Sequence, residues 1–250
     1  MLRVENVSKR FLKTEQFTLN GISFDVEKEQ FISLVGASGC GKTTMLNLIA
    51  GLDMPTAGRI LYNDVEVKGS GADRIVMFQE PALFPWLNVI DNVCFGLRLA
   101  KISRIEQFER AEYYLSIVKL SKFKKYMPHQ LSGGMQQRVA LARAMVTGSE
   151  MLLMDEPFSS LDLFTKNELQ IDVQNVILEN KRTVIYVTHS IEEAIFFSDR
   201  IIVLGGKPTK NLAEIPIRLP RPRIKDSDFL RLTTEILEIV RREIETVKCN

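Results

Sequence analysis

The eight residues Gly36-Ala37-Ser38-Gly39-Cys40-Gly41-Lys42-Thr43, "GASGCGKT", constrain this chain more than any other stretch. They follow the apolar run "FISLV" and precede "KTTMLNLIAGL", whose apolar residues recur at helical spacing. The order is therefore strand, glycine loop, helix. A loop of the form G-x-x-x-x-G-K-[ST] turns its backbone N–H groups inward, which only residues without bulk allow. An anion suits that cradle. Lys42 supplies positive charge to the β- and γ-phosphates of a nucleotide, and the Thr43 hydroxyl can ligate Mg²⁺. A purely structural glycine turn leaves Lys-Thr at the helix start unexplained.

A second glycine-rich helix start lies far downstream in "LSGGMQQRVALARA", Leu131 to Ala144. Ser132 caps a helix well. Ser132, Gly133 and Gly134 before a helix also suit an anion, so the chain carries two such starts. One cap does not require two adjacent glycines.

The remaining pattern is that of an α/β protein. "LRVENVSKRF" and "TLNGISFDVEKEQFISLVG" are strand-like, with Asn20-Gly21 as a turn signal, and "RILYNDVEVK" is a strand pair turning at Asn63-Asp64. "RIVMF" is a short buried strand leading to Gln79. From Pro81 to about Gly134 the spacing turns helical, which predicts a helical subdomain inserted into the α/β core. "MLLMDEP" and "TVIYVTH" are continuous apolar runs ending in polar residues, the pattern of buried parallel strands with functional C-terminal ends. "RIIVLGG" is one more strand. "LPRPR", Leu219 to Arg223, is expected to be a linker whose charges are solvated. The last segment is an amphipathic helix with Phe229, Leu232, Ile236, Val240 and Ile244 on one face, capped by Asp226 or Ser227.

Asp155 and Glu156 end the run "MLLMDEP". Asp155 is suited to hold Mg²⁺ and Glu156 to polarise an attacking water. Without the glycine loop, the pair is equally explained as a cap on a neighbouring helix. Gln79, His189 and Phe11 carry little meaning alone.

Composition excludes several classes. A chain 45% hydrophobic and 26% charged is not disordered. Its net charge of +2 gives no support to nucleic-acid binding. Cys40, Cys94 and Cys249 are too few and scattered for a disulfide scaffold and suit a reducing compartment. The N-terminus lacks the apolar region of a secretory signal, and no run approaches the ~18 apolar residues that cross a bilayer. Any membrane role is therefore expected to come through a partner. Cys40, beside Lys42 and a helix start, is read in two ways, as a modifiable thiol with a lowered pKa or as a small residue with no redox role.

Taken in order, "GASGCGKT", Gln79 in "VMFQEP", "LSGGMQQR", "MLLMDEP", "SSLD" and His189 in "YVTH" resemble the motifs of the ATP-binding cassette (ABC) subunit of a transporter, across roughly residues 2–206. "EPALFPWLNVIDNV" and "LPRPR" are similar to the nitrate, sulfonate and taurine importer group. The resemblance implies a P-loop NTPase core with a mostly parallel sheet, an N-terminal antiparallel β-subdomain and an inserted α-helical subdomain. The cassette spans 1–220, with the helical part at about 81–134, and a linker and amphipathic helix fill 221–250. It implies ATP and Mg²⁺ as ligands. Phe11, where the family more often has Tyr, stacks on adenine. Gly36, Ala37, Ser38, Gly39, Cys40, Gly41, Lys42, Thr43 and Thr44 hold the phosphates; Thr43, Gln79 and Asp155 hold Mg²⁺. Glu156 is the general base, His189 the γ-phosphate switch, and Gln79 a sensor coupled to the membrane partner. Ser132, Gly133 and Gly134 face the γ-phosphate of a second copy in a head-to-tail dimer; Gln136 and Asp162 also belong to the nucleotide site, Asp162 in the loop that lets the two sites communicate. Implied partners are integral-membrane permease subunits and a separate solute-binding protein, with the cassette on the cytoplasmic face of the membrane. The implied solute is a small anion or sulfonate; pyrimidine- or thiamine-type importers and a soluble, non-transport ABC ATPase are the alternatives.

Overall fold

Strand residues with buried and exposed positions in alternation can leave one face to solvent, whereas unbroken apolar runs must be covered on both faces. Both kinds occur in the computed structural model, which describes residues 1–11 and 16–248. The backbone divides into two compact units, 1–74 with 182–250, and 75–181.

In the first unit, β1 (Leu2–Lys9), β2 (Leu19–Val26), β4 (Ala57–Tyr62) and β5 (Val65–Glu66) form an antiparallel sheet in the order β2-β1-β4-β5. Alternate residues of β2 are buried, as the pattern "LNGISFDV" predicts. Asn63 and Asp64 both have positive φ, 49° and 64°, and close the β4–β5 hairpin with the twist such turns need. Asn20-Gly21, in contrast, is not a turn. Both residues lie inside β2, where Gly21 has φ 67° and the register with β1 shifts. The glycine serves a β-bulge, and its N–H donates to Ser8 Oγ at 2.9 Å.

The same unit holds β3 (Phe31–Val35), β8 (Thr183–Thr188) and β9 (Arg200–Gly205). β3 lies parallel between β8 and β9, and β10 (Lys210–Pro216) runs antiparallel to β9. Every residue of β3 and β8 is buried, which explains their continuous Val, Ile and Phe content. Helix α1 (Lys42–Ala50) follows β3, and α6 (Ile191–Phe197) follows β8. Helix α7 (Ser227–Lys248) buries Phe229, Ile236 and Val240, with Leu232 half-buried. Asp226 Oδ1 accepts from Phe229 N at 2.9 Å, so Asp226 is the cap. The Ile244 side chain and Cys249 lie outside the described residues.

The linker differs from its sequence reading. Arg221 pairs with Asp199 at 3.0 Å, and Lys225 with Glu192 at 2.5 Å. Arg223 is 4% exposed and donates to the carbonyls of Leu219, Ile195 and Ser198. Burial pulls its pKa down to about 10, with Asp199 opposing. These charges hold the chain down, and Arg223, the buried one, is not solvated.

The second unit contains β6 (Arg74–Met77), whose first residue belongs to the first unit, and its neighbour β7 (Met151–Asp155), buried throughout. Its helices are α2 (Val89–Leu99), α3 (Arg104–Ile117), α4 (Gly133–Met145) and α5 (Leu163–Glu179). Asn88, Ser103, Ser132 and Asp162 each accept a hydrogen bond from the third residue of the helix they precede. An antiparallel sheet, a mixed and mostly parallel sheet and packed helices make this the α/β fold read from the sequence. Among the described residues no helix is long and apolar enough to cross a membrane.

Candidate functional site

The glycine loop leaves the buried end of β3 and turns on a hydrogen bond from Cys40 N to Ala37 O, 3.2 Å. Gly36 has no room for a side chain. A Cβ there would lie 2.3 Å from Leu204 O and 2.7 Å from Cys40 Sγ. Gly39 and Gly41 have φ 76° and 91°, which L side chains rarely adopt. Gly41 precedes α1 and has no side chain to cap it, unlike the residues that begin α2 to α6. The first-turn N–H groups of α1 thus receive no side-chain cap and favour an anion. Lys42 is 6% exposed, with Nζ donating to Gly36 O at 2.9 Å and Ala37 O at 3.0 Å. The ammonium is held over the loop. Ala37, Ser38, Gly39 and Thr43 are exposed and Thr44 is half-buried.

Cys40 is not an activated thiol. Burial raises its pKa and outweighs the opposing charge of Lys42. The thiol is protonated at neutral pH, so iodoacetamide is expected to alkylate it more slowly than free cysteine at pH 7.5. Rate measurements by mass spectrometry check this; modification as fast as that of free cysteine would contradict it. Cys94 is buried and raised to about 11 by burial and then Asp91, and its Sγ donates to Gln107 O. Both are free thiols.

Phe11 is 42% exposed in the β1–β2 connection, with Lys9 Nζ 5.2 Å from its ring centre. Thr18, at the other end of that connection, donates to Lys9 O at 2.8 Å, and its Cγ2 approaches the Gly41 Cβ direction to 3.3 Å. The connection therefore emerges beside the glycine loop. It also presents Phe17, 36% exposed, which the sequence reading passed over. His189 is exposed at the end of β8, directly before α6.

In the second unit the structure joins Gln79 and Glu156. The Gln79 amide nitrogen lies 3.4 Å from Glu156 Oε2. Asp155 is 3% exposed at the end of β7. Glu156 has φ 46°, a left-handed conformation that is uncommon for a residue with a side chain. Strain of this kind concentrates at functional positions. The Glu156 carbonyl accepts from Ser159 N and Oγ at 3.2 and 3.0 Å, which fixes the turn.

The two glycines of "LSGG" have different reasons. Ser132 Oγ accepts from Met135 N at 3.3 Å, an ordinary cap. A Cβ on Gly134 would meet Leu161 Cδ2 at 3.2 Å and Ser160 O at 3.3 Å, so Gly134 permits close approach of the "SSLD" turn. A Cβ on Gly133 would meet no heavy atom within 4 Å among the described residues. Gln136 donates to Pro128 O and Leu131 O, steadying the chain before Ser132. Asp162 caps α5 through Thr165 N at 3.0 Å, and this bond holds its carboxyl below the usual range.

Two residues that shape the segment after Gln79 were missed. Arg143 Nη1 and Nη2 donate to Ala82 O and Pro81 O at 2.8 and 2.9 Å, and its guanidinium lies over the Phe84 ring. Asn92, fully buried, bonds to both backbone groups of Phe84 and to the carbonyls of Leu87 and Asn88. Between these anchors Trp86 is held 70% exposed. An Asn inside the apolar helix pattern "VIDNV" was the one available signal.

Residues 19–159 match the family described as ABC transporter. An uncharacterized ABC transporter ATP-binding protein of Methanocaldococcus jannaschii is 45% identical over 246 residues, covering 97% of this chain and 92% of that protein. The nitrate import ATP-binding protein NrtD of Synechocystis sp. is 41% identical over 238 residues, covering 91% and 90%. Among solved structures, the dimeric structure of a post-hydrolysis state of an ATP-binding cassette bound to ADP and Pi is similar. Its TM-score is 0.78 at 32% identity, and the match covers 88% of this chain and 100% of that one.

Proposed function

Because the chain belongs to the ABC transporter family, as an ATP-binding subunit that hydrolyses ATP, we propose that it powers an importer of a small anion, acting as a head-to-tail dimer on a separate membrane permease. Gly133 carries the dimer reading. It is exposed beside a capped helix start, and a side chain there would meet no described atom of its own chain. Room for close approach then serves a second copy, whose γ-phosphate meets Ser132, Gly133 and Gly134. The dimeric state of the similar cassette supports this. The anion reading is supported by the nitrate import relative.

The nucleotide triphosphate lies on the N–H groups of the glycine loop and α1, with Lys42 against its β- and γ-phosphates and Phe11 against its base. Glu156 accepts a proton from the attacking water, and Gln79 orients that carboxylate. His189 contacts the γ-phosphate. Thr43, Gln79 and Asp155 offer the hard oxygen donors that Mg²⁺ prefers, and one carboxylate suffices because phosphates and water complete such a site. When bound there, the ion neutralises phosphate charge during transfer. Hydrolysis removes the charge that joins the two copies, so the dimer relaxes with ADP.

The exposed Trp86 segment docks the permease on the cytoplasmic face of the membrane, and a solute-binding protein delivers the anion from the other side. Proteoliposomes holding cassette, permease and solute-binding protein test this. Nitrate or a sulfonate is expected to stimulate ATP turnover, and Trp86→Ala to abolish the stimulation. Stimulation by a neutral solute alone, or by anions through Trp86→Ala unchanged, would contradict the reading.

A further inference from the structure

Helix α6 has seven residues, too few to hold its own position in water. Its placement depends on what grips its ends, and the exposed His189 is the residue just before its cap. At the first end, one carboxylate gathers the chain on both sides of His189. Glu193 Oε2 accepts from Tyr186 Oη at 2.5 Å and Thr188 Oγ1 at 2.8 Å. Thr188 Oγ1 accepts from Ser190 N at 3.0 Å, and Ser190 Oγ from Glu193 N at 3.3 Å. Residues 188, 190 and 193 form a closed ring of hydrogen bonds that Tyr186 joins through Glu193, and the exposed His189 lies between two of its members. Glu193 and Tyr186 are buried, so water does not loosen the ring.

At the other end the grip comes from the C-terminal segment. Arg223 Nη1 donates to Ile195 O at 2.5 Å, a carbonyl that α6 itself leaves over, and to Ser198 O at 2.7 Å, the carbonyl of its C-cap residue. Its Nε and Nη2 return to Leu219 O, so the guanidinium rivets the linker to the helix end. Phe229 of α7 packs edge-on against Phe196, ring centres 6.3 Å apart, and Lys225 pairs with Glu192. Ser198 Oγ meets Ser33 Oγ of β3 at 2.5 Å, which ties this end to the strand that feeds the glycine loop.

We propose that Glu193 and Arg223 are positioning residues for His189, gripping α6 from its two ends, and that through Arg223 the C-terminal segment sets the rate of hydrolysis. The proposal rests on the assignment of His189 to the γ-phosphate. Release of Arg223 removes none of the glycine loop's own hydrogen bonds and lets α6 shift, so turnover falls while nucleotide affinity holds. A misplacement of about 1 Å in a reacting constellation can cost up to about 100-fold.

The test is a set of double-mutant cycles on the full chain with MgATP. Arg223→Ala is expected to lower kcat about tenfold, the lower part of that range, with KM little changed, and Arg223→Lys to recover part of the loss. In a His189→Ala background, Arg223→Ala is expected to cost nothing further, because both changes act on one group. Tyr186→Phe, which removes a single hydroxyl from a filled position, is the second variant should Arg223→Ala not fold; it is expected to lower kcat and to lose its effect in the same background. An unchanged kcat in Arg223→Ala or Tyr186→Phe overturns the proposal. So does a loss of equal size with and without His189, the sign of general damage. If His189→Ala alone retains full turnover, the assignment of His189 fails and the proposal falls with it; if His189→Ala is impaired and the other two are not, the proposal alone fails.

Discussion

Glu156→Gln is expected to lower ATP turnover about 10²–10⁴-fold while leaving nucleotide affinity near wild type. The substitution keeps the shape of the side chain and changes only its capacity to accept a proton. Gln79 sits 3.4 Å from Glu156 Oε2, a separation that an amide fills as well as a carboxylate. The positive φ of Glu156 comes from the turn after β7, held by Ser159, and does not depend on the carboxylate. Phosphate release under saturating MgATP measures the effect. Turnover within tenfold of wild type would remove Glu156 from the role of base.

Gly36→Ala is expected to abolish nucleotide binding and to lower stability. The new methyl would sit 2.3 Å from the Leu204 carbonyl. Leu204 cannot withdraw, because β9 is paired on one side with β3 and on the other with β10, where Leu204 itself faces Asn211. The loop must move instead, and its N–H groups with it. Overpacking of a fixed interior typically costs about 1–3 kcal/mol, which is a few degrees of Tm for a chain of this size. Calorimetric titration with a non-hydrolysable ATP analogue and a melting curve check both parts. Gly39→Ala is the comparison: a Cβ there meets nothing within 4 Å, and only the φ of 76° penalises it. Equal behaviour of the two variants would contradict the packing argument.

The features legible in the sequence were those encoded locally. The glycine loop, the strand before it and the helix after it are contiguous, and β3, β7 and β8 announced themselves as unbroken apolar runs. Asn63-Asp64 was read correctly as a turn and Asn20-Gly21 was not, because the same dipeptide chemistry serves a hairpin and a bulge. The choice depends on what β1 offers opposite. The two readings of Cys40 stayed open for a similar reason: Lys42 is visible two residues away, but burial depends on residues brought up by the fold. Arg223 lay in a stretch with the composition of a linker, and nothing nearby in sequence indicates that the end of α6 waits for it. The two glycines of "LSGG" are identical letters. Only the position of Ser160 and Leu161 separates the one that packs from the one that stays open.

The size of Glu156→Gln in solution bears on the whole account. Sedimentation velocity is measured with saturating ATP and with saturating ADP. The account predicts a species of twice the chain's mass with ATP, the chain's own mass with ADP, and loss of the ATP-bound dimer when Gly133→Ala is added. A single-chain mass with ATP bound, or a dimer indifferent to both the nucleotide and Gly133, would contradict it.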